Sequence, residues 1–82
     1  MKTQQSIILA SMKNGQSGIV SGINGGMGMI SKLEGMGIHK GARIIKKSTI
    51  FGGGPVVVMV GNTEVAMGYG MARKIIVEVD VQ

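Results

Sequence analysis

The sequence predicts a mainly β domain: a small barrel of four or five short strands, with one short helix after the first barrel strand and a helical turn before the last strand. The chain has 11 Ile and 9 Val against 2 Leu, and β-branched side chains pack well on pleated strands. Its 15 Gly do not recur at every third position, which excludes a collagen-like chain. A barrel is an economical way for so short a chain to avoid exposed sheet edges. We assign residues 1–82 to a single domain.

The strands follow from apolar runs bounded by turn residues. We predict strands at 18–23, 42–47, 56–60, 63–67 and 75–81. The strand at 42–47 carries lysines on both faces, which indicates a sheet edge. Gly61-Asn62 separates two apolar runs by two residues, which predicts a type II′ hairpin.

The helix follows from apolar spacing between two glycine-rich turns. Met29, Ile30, Leu33 and Met36 recur at helical spacing, and Gly37 supplies a left-handed stop. Residues 68–73 predict one helical turn, and residues 52–55 predict a loop.

Composition argues against an enzyme and against an exported protein. The chain has no Cys, one His and four carboxylates, so few groups are available for acid–base or thiol chemistry. His39 lies next to a lysine in a predicted turn, which indicates a solvated loop residue rather than a metal ligand. No apolar run is long enough for a signal peptide or a membrane span. We therefore expect a cytoplasmic protein without a cofactor, for which self-association would add buried area.

Two further patterns have alternative interpretations. Met27 and Met29 offer thioether sulfurs that suit Cu(I), but unbranched Met also fills gaps in a thin core. The glycines of residues 26–31 superficially match a dinucleotide-binding loop, whose third glycine and ribose-binding acid are missing. A tight turn explains them more simply.

The net charge of +5 predicts an acidic partner, whether nucleic acid, an acidic protein surface or anionic lipid, and charge alone does not choose among them. Four basic residues crowd into eight positions: Lys40, Arg43, Lys46 and Lys47. Solvated edge-strand lysines are the simplest interpretation. The chain has only two aromatic residues, which disfavours single-stranded nucleic acid because its binders stack bases on aromatic rings.

Three segments, taken together, carry a resemblance to a known family. The first, residues 15–23, reads Gly-Gln-Ser-Gly-Ile-Val-Ser-Gly-Ile. The second, residues 32–41, is similar to the pattern Arg-Leu-x-x-(Leu/Met)-Gly-Ile-x-x-Gly, with Lys32 in place of Arg. The third begins at Gly53-Gly54-Pro55 and runs through Ile75-x-Val77. In this order and spacing they resemble the FeoA family of bacterial ferrous-iron uptake, which often has a basic residue at the position of Tyr69.

This resemblance implies an SH3-like barrel and a non-catalytic accessory role. It implies docking on FeoB, a membrane transporter of Fe(II) with a cytoplasmic GTP-binding part, and a location peripheral to the inner membrane. The candidate contact residues are in the helix and its stop and in the basic strand: Lys32, Leu33, Met36, Gly37, Ile38, Arg43, Lys46 and Lys47. For Leu33 and Met36, core packing is the alternative. A nucleic-acid-binding or transcription-regulatory barrel remains the alternative function.

Overall fold

The computed structural model describes residues 3–49 and 54–81, which form one antiparallel sheet of six strands with two short helices. The strand order is β1-β6-β2-β3-β4-β5. The strands are β1 (Thr3–Ile8), β2 (Ser17–Ile23), β3 (Arg43–Thr49), β4 (Val56–Val60), β5 (Thr63–Met67) and β6 (Ile75–Val81). The helices are α1 (Met27–Gly35) and α2 (Tyr69–Ala72), and a 3-10 turn occupies Leu9–Ser11.

The mainly β fold, the helix and the helical turn are confirmed, and the N-terminal strand is an addition. All five predicted strands exist within one or two residues of their predicted bounds. β1 was not predicted, so α1 follows the second strand of the chain rather than the first. β1 pairs along its whole length with β6, from Thr3 opposite Val81 to Ile8 opposite Ile76. Within the described ranges no helix is long and apolar enough to span a membrane.

The sheet surrounds one hydrophobic core. Every second side chain of a strand points into this core. β6 shows the alternation most clearly, because Ile75, Val77 and Val79 are buried and the residues between them are more accessible. The inward side chains of the other elements join them: Leu9, Met12, Val20, Leu33, Ile38, Ala42, Ile44, Val56, Val58, Val65, Met67 and Ala72.

α1 covers the core with Leu33, which is fully buried, while Met29 and Met36 pack at its border. The helix ends as the sequence predicts. The N–H of Ile38 donates to the Leu33 carbonyl at 2.9 Å, and the N–H of Gly37 donates to the Glu34 carbonyl at 3.0 Å. This is a Schellman motif, which requires the left-handed φ of 87° at Gly37.

The prediction that the basic strand is an edge is wrong. β3 lies between β2 and β4. The edges among the described residues are β1 and β5, so the strand ladder of the barrel is left open between these two strands. The edge was predicted from lysines on both faces of the strand, but one of them, Lys46, points into the protein and is buried.

The β4–β5 hairpin is confirmed. Val60 pairs with Thr63 across the two-residue link. Gly61 has a φ of 60° and Asn62 a negative φ, as a type II′ turn requires. Of the predicted loop at 52–55, residues 52 and 53 lie outside the described part of the chain.

Candidate functional site

Lys46 is a buried cation that joins the N-terminal segment to the sheet. Its side chain is only 3% exposed, and its ammonium donates to the Ala10 carbonyl at 3.0 Å and to the Met12 carbonyl at 2.7 Å. Burial lowers the pKa of Lys46 below its ordinary value of 10.5, because the charged form loses water. The interpretation of Lys46 as a solvated lysine is therefore wrong.

The eight candidate contact residues divide between core and surface. The side chains of Leu33, Ile38 and Lys46 are buried. The remaining five are accessible at least in part: Lys32, Met36, Gly37, Arg43 and Lys47. A contact with a partner would therefore be made through these five.

The end of α1 and the start of β3 lie at the same end of the sheet. A Cβ added to Gly37 would lie 3.4 Å from Cγ1 of Val60, and Val60 pairs with Ile44. Arg43 precedes Ile44 directly. The structure thus brings Gly37 to the end of the sheet at which β3 begins, while Lys47 lies four residues beyond Arg43, at the register shift between Lys46 and Ser48.

The outer side of the sheet carries a stripe of apolar residues that sequence reasoning did not identify as functional. We define the outer-face stripe as Ile19, Ile45, Val57 and Met59. Ile19 is 40% exposed, and the other three are partly exposed. Their strand neighbours Val20, Ile44, Lys46, Val56 and Val58 are buried, so the stripe faces away from the core.

Strand register makes the stripe continuous. Ile45 of β3 pairs with Met59 of β4. Ile19 pairs with Arg43, which places it diagonally next to Ile45 on the same face. Val57 lies two residues before Met59 along β4, on the same face. The signal was present in the sequence as Ile45 between Arg43 and Lys47, but alternation alone does not reveal which face is covered.

Two open clefts lie elsewhere on the surface. One, of about 350 Å³, is lined by Asn24, Gly70, Arg73 and Lys74. The other, of about 390 Å³, is lined by residues of β1, β6 and the segment between β1 and β2, namely Gln5, Ile7, Ser11, Lys13, Gln16, Val79 and Asp80. Neither cleft is lined by a candidate contact residue.

His39 lies exposed in a loop, as predicted. Its Nδ1 is 3.0 Å from the Lys40 carbonyl oxygen, which can accept a hydrogen bond from it. In residues 3–49 and 54–81, no three His, Cys, Asp or Glu side chains group together as metal ligands.

The methionine and glycine patterns have structural explanations. Met29 packs against the core, as the gap-filling interpretation predicts, and Met27 is 85% exposed at the start of α1. Copper binding by this pair remains the less favoured alternative. Because α1 begins at Met27, the turn is confined to residues 24–26 and Gly28 is helical.

Comparison with known proteins agrees with the sequence resemblance. The FeoA domain family matches residues 7–79. A putative Fe(2+) transport protein A of Methanocaldococcus jannaschii is 37% identical over 72 residues, which cover 85% of this chain and 83% of the relative.

Solved structures agree with the fold. The crystal structure of an iron uptake regulatory protein, FeoA, matches with a TM-score of 0.85 and 32% identity, over 94% of this chain and all of the other. The zinc complex of FeoA from Stenotrophomonas maltophilia, described as a procaryotic SH3 domain protein, matches with a TM-score of 0.74 and 23% identity, over 87% and 88% of the two chains.

The fold and the comparisons together define the class of protein: an SH3-like accessory domain of ferrous-iron transport. The chain belongs to the FeoA family.

Proposed function

We propose that this chain is a non-catalytic accessory protein that docks on the cytoplasmic GTP-binding part of a FeoB-type ferrous-iron transporter and modulates it. The family match over residues 7–79 carries the proposal. It extends over almost the whole domain, so the role is assigned to the domain as a unit.

The surface charge supports docking on an acidic partner. The net charge is +5, and the accessible candidates include three cations, Lys32, Arg43 and Lys47. Opposite charge on a partner speeds encounter and sets orientation. Met36 and Gly37 add a partly accessible, uncharged contact at the end of α1.

The proposed location follows from the proposed partner. A protein that docks on the cytoplasmic part of a transporter lies in the cytoplasm, peripheral to the inner membrane. Its effect is exerted through contact, by changing the GTP turnover or the conformation of the transporter.

Co-purification tests the proposal. We expect the tagged chain to retain its cognate transporter from detergent extract, and to change GTP hydrolysis by the purified transporter. Arg43→Glu should weaken retention because it reverses a charge at the candidate surface. Lys13→Glu reverses the charge of an exposed lysine that is not a candidate contact residue and should not. A wild-type chain that neither retains the transporter nor alters its GTP turnover contradicts the proposal.

A further inference from the structure

We propose that the transporter binds this protein on the outer face of β2, β3 and β4, through an apolar segment bordered by carboxylates. The inference rests on the proposed function and names its contact surface. The apolar contact is the outer-face stripe, and the charged contact is the pair Arg43 and Lys47.

The stripe is apolar where a one-layer sheet is normally polar. In an antiparallel sheet with one face on the core, the solvent face usually alternates to polar residues. Here Ile45 and Met59 lie opposite each other on that face, and Ile19 is 40% exposed. A single exposed Ile needs no explanation. Contiguous apolar side chains on three neighbouring strands are typical of an interaction surface.

The surroundings of the stripe also match such a surface. On the β5 side, the outward Ala66 pairs with Val57 and is exposed. A small residue there leaves the edge of the stripe open to a partner. Interfaces typically combine an apolar centre with a polar, charged rim. Here the stripe is the apolar centre, and the exposed Arg43 and Lys47 lie at its border.

The charges on β3 indicate what the partner carries. Arg43 and Lys47 are exposed and lie on either side of Ile45 along the strand. Four residues of strand separate them by about 13 Å. Carboxylates at a similar spacing would pair with both cations while apolar side chains between them cover Ile45 and Met59. Glu64 pairs in register with Met59 at the opposite border, so it orients the segment by repelling a carboxylate from the β5 side.

A second copy of the chain fits this face less well than an acidic segment does. Two copies with a net charge of +5 repel each other. An acidic partner is attracted by the same charge.

Affinity measurements on the full chain and the purified cognate transporter in nanodiscs test the inference. Ile45→Thr with Met59→Thr keeps strand-compatible side chains but removes apolar contact. We expect it to raise Kd about tenfold or more, as truncation at the centre of an interface does. Met27→Thr changes an 85% exposed Met outside the sheet and should leave Kd within about twofold, because binding energy is concentrated in a few residues at the centre of an interface.

A charge experiment provides an independent readout that does not depend on packing. Arg43→Glu with Lys47→Glu should raise Kd about tenfold or more and flatten its salt dependence, because screened attraction is lost. Arg73→Glu with Lys74→Glu makes the same change of net charge at an exposed basic pair outside the surface. We expect that control to have a clearly smaller effect.

The outcomes separate the inference from the function on which it rests. Wild-type binding that neither stripe nor charge variants weaken overturns the surface assignment and leaves docking intact. The surface assignment is also overturned if the control at Arg73 and Lys74 weakens binding as much as Arg43→Glu with Lys47→Glu does. A wild-type chain that does not bind the transporter overturns both. A wild-type dimer that Ile45→Thr with Met59→Thr dissociates would assign the face to a second copy and overturn the inference.

Discussion

Replacing Lys46 with Met should destabilise the protein although it removes a buried charge. The ammonium joins β3 to the turn after β1 through hydrogen bonds of 2.7 and 3.0 Å to two backbone carbonyls. Hydrogen bonds to charged groups contribute about 1.5–3 kcal/mol each. Removing the donor leaves both carbonyls without it, and relief of the desolvation cost of the ammonium offsets part of the loss. We expect a net loss of about 2 kcal/mol, which is less than the roughly 3–6 kcal/mol of two such bonds because the relieved desolvation cost offsets part of it.

The pH dependence gives the same residue a second signature. Because burial lowers the pKa of Lys46 below 10.5, the folded state binds fewer protons than the unfolded state at pH values just below 10.5. The free energy of unfolding therefore rises with pH in that window. Lys46→Met should lose this increment, while the contributions of the other lysines remain.

Urea unfolding followed by circular dichroism measures both effects. The matched control is Lys47→Met, which makes the same chemical change at the adjacent exposed residue and should stay within about 0.5 kcal/mol of wild type. Equal unfolding midpoints for the two variants at neutral pH would refute the reasoning. So would a pH-dependent increment of equal size in wild type and Lys46→Met.

Three further predictions concern the backbone and the alternative function. Gly18→Ala should cost about 1–3 kcal/mol by overpacking, since its new Cβ would lie 2.6 Å from Cγ1 of Val77; thermal unfolding checks this against Gly22→Ala, whose Cβ meets nothing within 4 Å. Gly37→Ala should destabilise the protein by about 1–2 kcal/mol because its φ is 87°, whereas Gly35→Ala, at the end of α1, should stabilise it by up to about 1 kcal/mol. If urea titrations showed both variants changing the free energy of unfolding in the same direction, this prediction would be contradicted. In fluorescence anisotropy at physiological salt, duplex DNA and RNA should show no tight binding with a steep salt slope, and such binding would revive the nucleic-acid alternative.

The sequence predicted those elements whose signals are local. The Schellman stop of α1 depends on Gly37 and on the apolar residues before it, and the hairpin depends on two residues between two apolar runs. The glycine-rich turns and the alternation of β6 are similarly visible in short windows.

β1 was missed because its stability comes from a distant strand. Thr3–Ile8 has a polar first half and no clear alternation, and it is held by pairing with β6 across almost the whole chain length. Pairing between the two ends of a sequence leaves no local pattern.

The site was predicted only in part for a related reason. The alternation of β3 correctly separated Arg43, Ile45 and Lys47 from Ile44 and Lys46. It did not show which set faced the core, because Lys46 among the inward residues suggested that both faces of β3 were exposed to solvent. The carbonyls that receive Lys46 come from residues 10 and 12, more than 30 positions away.

Binding of the full chain to its purified cognate transporter tests the central claim most directly. Titrating the labelled chain onto transporter nanodiscs at low and at high salt should give saturable binding that weakens as salt rises. Absence of saturable binding at both salt concentrations, with the chain folded and the transporter active in GTP hydrolysis, would contradict the account.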